Sequence, residues 1–241
     1  MPVETHNRRF ETTRWSVVIA AGDAESAAGR SALAALCETY WSPVYAFICR
    51  SGRSSDEAKD LTQAFFATLL EKNYVRDAKQ ERGRFRSFLL TSVKHFLANE
   101  YDHTHAQKRG GQMILVPLEI ERGECLVQHE AVEHETPEHI YERQWALTVL
   151  EAARARLALR FEGERRQQLF EKLRPFLAGD DPESYGELAR ELGMTEGALR
   201  VAVHRVRQQW GESLRELVAE TVGSPDEVAD ELRHLMSLLS R

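Results

Sequence analysis

Between residues 184 and 217 the chain reads SYGELARELGMTEGALRVAVHRVRQQWGESLREL, and its apolar residues keep helical spacing on both sides of a single glycine. Leu188 and Leu192 lie one turn apart with the small Ala189 between them, which predicts a short helix over 185–192. Gly193 stops it, because glycine tolerates the left-handed conformation that helix ends often need. Thr195 is placed to cap a second helix, with Glu196 at its positive end. At about 100° per residue, Leu199, Val203, Val206 and Trp210 of that helix form one stripe. Gly197, Val201, His204, Arg205 and Gln208 fall opposite, flanked by Arg200 and Arg207.

A helix that is buried on one side and basic on the other suits a helix-turn-helix in the DNA major groove. Two packed helices with a solvated charged face give the same pattern. Val201 points outward, where a small apolar side chain suits a thymine methyl. Arg200 and Arg205 have the reach for guanine O6 and N7. A lone exposed valine is also ordinary.

The chain has 241 residues, 42% of them hydrophobic and 29% charged, the balance of a water-soluble globular chain. Alternating β-branched runs are scarce, so an all-α fold is expected. No run is apolar and long enough to span a membrane, and the first residues lack the apolar core of a signal peptide. The three cysteines, Cys37, Cys49 and Cys125, have no paired spacing, which fits a reducing cytoplasm.

A net charge of −6 is unusual for a nucleic-acid binder, so its distribution carries the information. From Lys72 to Arg109 nine cations stand against four anions, leaving +5. From Glu119 to Glu142 eight glutamates stand against Arg122 alone, leaving −7. The N-terminal part reads as helical. Phe10, Trp15, Val18 and Ile19 start it, and a second helix over 31–50 should be kinked or interrupted by Pro43. Ser54 and Glu57 mark a capping box for a third helix to about Lys72. That helix buries Leu61, Phe65 and Leu69 and shows Asp56, Asp60 and Gln63 on another face. A loop over 73–83 precedes a long helix from Arg84 to about Gln107, with Phe85, Phe88, Leu89, Phe96 and Leu97 inward. Arg86, Lys94, Asn99 and His103 are expected to point elsewhere. The expected organisation is a helical domain over 10–109, an acidic linker over 110–137, a second helical domain over 138–222 and an extension over 223–241. The second domain should hold helices over 145–161 and 165–177 before the helix-turn-helix. In the extension, Ser224, Pro225 and Glu227 signal a helix start, and Val228, Leu232, Leu235 and Leu239 an apolar seam.

In order and motif, the chain resembles bacterial RNA polymerase sigma factors of the extracytoplasmic-function type. SSDEAKDLTQAFFATLLEK is similar to the family's polymerase-binding helix, with Asp60, Leu61, Gln63 and Phe66 matching and Asp56 and Glu57 upstream. RGRFRSFLLTSVKHFLANEYDHTHAQKR resembles the segment that melts and binds the −10 element, with Arg86, Phe88 and Leu89 on the motif and Phe in place of Trp. Residues 184–207 resemble the −35-reading helix-turn-helix, although the reading helix departs from the family's usual sequence at several positions. The resemblance implies polymerase contacts by Asp56, Glu57, Asp60 and Gln63. It implies −10 contacts by Lys72, Tyr74, Arg76, Arg82, Arg84, Arg86, Asn99, Tyr101, Lys108 and Arg109, with the loop over 73–83 cradling a flipped base. It implies −35 contacts by Thr195, Glu196, Arg200, Val201, His204, Arg205 and Arg207. Core RNA polymerase and promoter DNA are the implied partners, with an anti-sigma factor or other regulator as a further one. The acidic linker would thread the polymerase cleft or serve as a solubilising tether.

A stand-alone helix-turn-helix regulator is the alternative. It leaves the acidic helix and the basic, aromatic segment unexplained. A metal enzyme is disfavoured. Its candidate ligands would be Cys125, His129, His134 and His139, but five-residue steps turn about 140° on a helix and spread such side chains apart. No nucleophile–base pair or phosphate loop is present, so neither catalysis nor a cofactor is expected.

Overall fold

A computed structural model describes residues 15–107, 135–178 and 185–240, apart from 24 and 162. Among the described residues there are nine α-helices and no strand. They are α1 (Trp15–Ala21), α2 (Ala27–Arg50), α3 (Ser55–Glu71), α4 (Phe85–Gln107), α5 (Pro137–Ala158), α6 (Glu164–Leu173), α7 (Tyr185–Glu191), α8 (Glu196–Ala219) and α9 (Val228–Leu239). Phe10 and the segment 108–134 lie outside the described residues.

The contacts divide these helices into two compact units. The first runs to Thr148 and takes in the segment from Glu220 onward; the second is Val149–Ala219. Two of the expected boundaries therefore differ. The division falls inside α5 rather than before it, and the C-terminal extension belongs to the first unit instead of standing apart.

In the first unit the Ser26 hydroxyl accepts the Gly29 amide at 2.9 Å and starts α2. Gly29 admits no side chain, since a Cβ there would lie 1.7 Å from the Asp23 carbonyl oxygen. The helix then runs unbroken through Pro43, which is buried. Packing of the surrounding turns outweighs the single backbone bond that proline removes. The expected capping box is present at α3: the Ser54 amide donates to Glu57 Oε2 at 3.0 Å, and the Glu57 amide donates back to Ser54 Oγ. Ala58, Thr62, Phe65, Phe66 and Leu69 are buried, and Leu61 is half-buried. Ring contacts knit this core. Tyr40 meets Phe85 edge-on with centroids 5.5 Å apart, Trp41 stacks on Phe66 at 5.8 Å, and Phe47 meets Tyr141 at 6.4 Å. Each such pair adds about 0.5–1.5 kcal/mol beyond its burial. On α1, Trp15 and Val18 are buried and Ile19 is 70% exposed.

The C-terminal segment closes this unit. The Trp15 amide donates to the Glu220 carbonyl at 3.3 Å, and Gln80 Nε2 donates to the Val222 carbonyl at 3.3 Å. A 3-10 turn over Pro225–Glu227 leads into α9, without a side-chain cap from Ser224. The buried residues of α9 are Val228, Glu231, Leu235 and Leu238. The inward stripe is thus rotated from the expected seam, and a glutamate lies within it.

In the second unit Leu157, Phe170, Leu173, Ala189, Leu199, Val203 and Val206 form the core. Phe161 and Phe170 add a ring pair 5.0 Å apart. Glu216 of α8 lies 3.0 Å from Arg156 of α5. The expected helix over 165–177 is shorter, and Arg174–Ala178 follow as a 3-10 turn.

Candidate nucleic-acid interface

The turn between α7 and α8 is a hydrogen-bonded helix stop followed at once by a helix start. Gly193 adopts a φ of +63°, and the Met194 amide reaches back to the Ala189 carbonyl at 2.9 Å. That six-residue closure is the Schellman arrangement, which favours glycine at this position. Thr195 Oγ1 then accepts the Ala198 amide at 3.2 Å, as its capping role requires. Leu199, Val203 and Val206 are buried and Trp210 is half-buried, while Gly197, Val201, His204, Arg205 and Gln208 are exposed. The two-sided helix expected from periodicity is the one observed.

Arg200 is oriented before any ligand arrives. Its guanidinium lies 2.7 Å from Glu196 and 4.1 Å over the Tyr185 ring. Stacking and pairing hold its planar fork at the start of α8, where recognition helices meet bases. Tyr185 was not among the expected site residues. Its spacing marked it only as a helix start, and its position beneath Arg200 depends on how α7 crosses α8.

Arg207 departs from expectation. It is half-buried, and its Nε donates to the Phe176 carbonyl at 2.8 Å. It thereby holds the 3-10 turn Arg174–Ala178 against α8 rather than reaching outward to a phosphate. On the helical wheel it lies about 70° from the middle of the apolar stripe, close enough for a long side chain to fold back onto the protein.

Val201 is not an isolated valine. It borders a groove of about 600 Å³ whose apolar lining includes Phe161, Leu169 and Met194. Arg160, Arg166 and Arg205 line the same groove from α8 and from α6 and its approach. These arginines are up to 45 positions apart in the chain, so no local pattern announces their convergence.

In the first unit the loop over 73–83 has a fixed shape. Asn73 adopts a φ of +49°, and its Nδ2 donates to the Gly22 carbonyl at 3.0 Å. Two 3-10 turns follow, Tyr74–Asp77 and Gln80–Arg82. Lys72, Arg76 and Arg82 are exposed, as are Tyr74, Asn99 and Tyr101. The Lys72 ammonium stands 5.8 Å from the centroid of the Tyr74 ring. Exposed cations and exposed aromatic side chains are thus both present in this unit, the two kinds of group that single strands use. Lys108 and Arg109 lie outside the described residues.

Arg84 and Arg86 differ from that expectation. Arg86 is buried, only 3% exposed. Its Nε donates to Glu142 Oε2 at 2.7 Å, both terminal nitrogens engage Glu231, and its guanidinium lies 4.1 Å over the Trp145 ring. The fully buried Tyr141 hydroxyl donates to the Arg86 carbonyl at 3.0 Å. Burial opposes the guanidinium's charge, but Glu231 and Glu142 more than offset it, and its pKa is raised. Arg84 Nη2 lies 2.8 Å from Glu231, and its side chain is one-third exposed. Arg86 is therefore a buried structural charge, and Arg84 is engaged by a carboxylate.

On α3, Asp56 and Asp60 are exposed and Gln63 is half-buried. Glu57 faces its own helix start. Hydrogen bonds from the Ser54 amide and hydroxyl hold its carboxyl below the usual carboxylate range. The same carboxylate, which is exposed, is thus already engaged in the cap. Among the described residues no group of three or more His, Cys, Asp or Glu side chains is placed to hold a metal ion. Comparison with protein-family models, with curated proteins and with solved structures finds no match.

Proposed function

We propose that this chain is a sigma factor of the extracytoplasmic-function type. In this reading it binds core RNA polymerase in the cytoplasm and directs promoter recognition, melting and initiation. The observation that carries the reading is α8. Its inner stripe is locked into the second unit, while Val201, His204 and Arg205 stand open beside a pre-oriented Arg200. Such a helix presents hydrogen-bonding and apolar groups to base edges from a rigid support. The exposed Lys72, Arg76, Arg82, Tyr74 and Tyr101 support a second role for the first unit, holding melted single strand. The acidic face of Asp56 and Asp60 suits a basic polymerase surface, favouring orientation and partner choice.

Transcription in vitro tests the reading. Core polymerase and genomic DNA, with and without the chain, are followed by sequencing of the start sites. Chain-dependent starts sharing two upstream elements are expected. A stand-alone regulator would instead bind duplex DNA without polymerase and create no new starts from purified core.

A further inference from the structure

We propose that α9 is an autoinhibitory cover, with the Glu231 carboxylate occupying a place that a backbone phosphate takes when the first unit holds single-stranded DNA. The inference rests on the reading of the segment from Lys72 onward as a nucleic-acid surface. Glu231 is fully buried and engages Arg84 and Arg86 together. A carboxylate between two guanidiniums is the chemical counterpart of a phosphate in the same fork.

Two features fit a cover better than a permanent piece of core. A buried ion pair is a poor means of stabilising a seam that apolar residues would fill at least as well. More specifically, Arg86 has a second carboxylate. Glu142 bonds its Nε at 2.7 Å and Trp145 stacks on its face, so departure of α9 does not leave the guanidinium without a counter-charge. His234 of α9 reaches the same Glu142 oxygen, at 3.3 Å, so its release leaves that oxygen to Arg86 alone. Arg84 is the group that gains. Its Nε is buried without a hydrogen-bond partner, and it follows the exposed Arg82 by two residues. A phosphate offers more acceptor oxygens than the one Glu231 atom it now meets. Val222, just before α9, accepts from Gln80 of the loop over 73–83, so movement of the cover also frees the loop.

The full chain is tested with a fluorescein-labelled 20-nucleotide single strand of mixed sequence, by anisotropy at low salt. Glu231→Gln should bind about tenfold tighter than wild type, since removing a closed state raises apparent affinity by the closed-to-open ratio. Arg84→Ala in the Glu231→Gln background should cancel the gain. Hydrogen exchange on the wild-type chain gives a readout without substitution: α9 amides should lose protection when saturating oligonucleotide is added. Equal affinity of wild type and Glu231→Gln, or α9 amides still protected in the bound wild type, overturns the cover and leaves the functional reading standing. Absence of binding by every form also overturns the cover, and transcription in vitro then decides the functional reading separately. Should Glu231→Gln not fold, the exchange experiment decides alone.

Discussion

Arg86 shows how a charge with the sequence signature of a surface residue becomes part of a core. Its neighbours in the chain are basic, which is why an outward role is the natural expectation. Instead it meets two carboxylates and an indole ring, one carboxylate from α5 and the other from α9. Removing one partner of a buried pair costs more than the pair contributes, because the remaining charge loses its compensation. Arg86→Ala should therefore destabilise the first unit by about 3–5 kcal/mol. Glu231→Gln should cost distinctly less, because Arg86 keeps Glu142. Urea unfolding followed by circular dichroism measures both, and the reverse order would show that Glu142 does not compensate Arg86.

At the scale of the element, α8 combines three jobs along 24 residues. Its inner stripe builds the core of the second unit, its first turns present Arg200, Val201, His204 and Arg205, and Arg207 ties down the preceding 3-10 turn. These jobs predict different consequences of losing an arginine. Arg200→Ala should relax the upstream base preference by about 1–3 kcal/mol at one pair and leave the fold intact. Arg207→Ala should leave that preference unchanged and destabilise the second unit by about 1.5–3 kcal/mol, the range for a charged hydrogen bond. A promoter-library selection beside thermal melting separates the two. A changed base preference in Arg207→Ala would restore an outward role for that side chain. Helix α3 divides its labour in a similar way. Glu57 serves the helix itself, and Asp56 and Asp60 remain open to a partner.

For the whole molecule, the acidic and basic stretches are sorted along the chain, while in the fold some of them pair, as Arg86 does with Glu142 and Lys94 with Glu138, and the exposed charges that remain are the ones a partner can meet. Asp60→Lys reverses an exposed charge on α3 without touching the buried Phe65, Phe66 or Leu69. It should weaken binding to core polymerase at modest salt, with the difference shrinking as salt rises. Unaltered affinity in a core-binding titration would remove α3 from the interface. The first unit is built from both ends of the described chain, since its partner contacts for α4 include residues of α9.

Much of this was legible along the chain because it depends on neighbours in sequence. The stop at Gly193, the cap at Thr195, the box at Ser54 and Glu57 and the two faces of α8 all follow from residues within a turn or two of one another. Periodicity reports which side of a helix is apolar, so the open face of α8 could be read before its surroundings were known. What the sequence left open was decided by contacts between distant segments. Arg86 and Glu231 are 145 positions apart, and Arg207 meets Phe176 across 31. A long cationic side chain reads the same whether it will face water or a buried carboxylate. Only the packing of α9 into the first unit brings that carboxylate within reach, and with it the difference between a surface arginine and a core one.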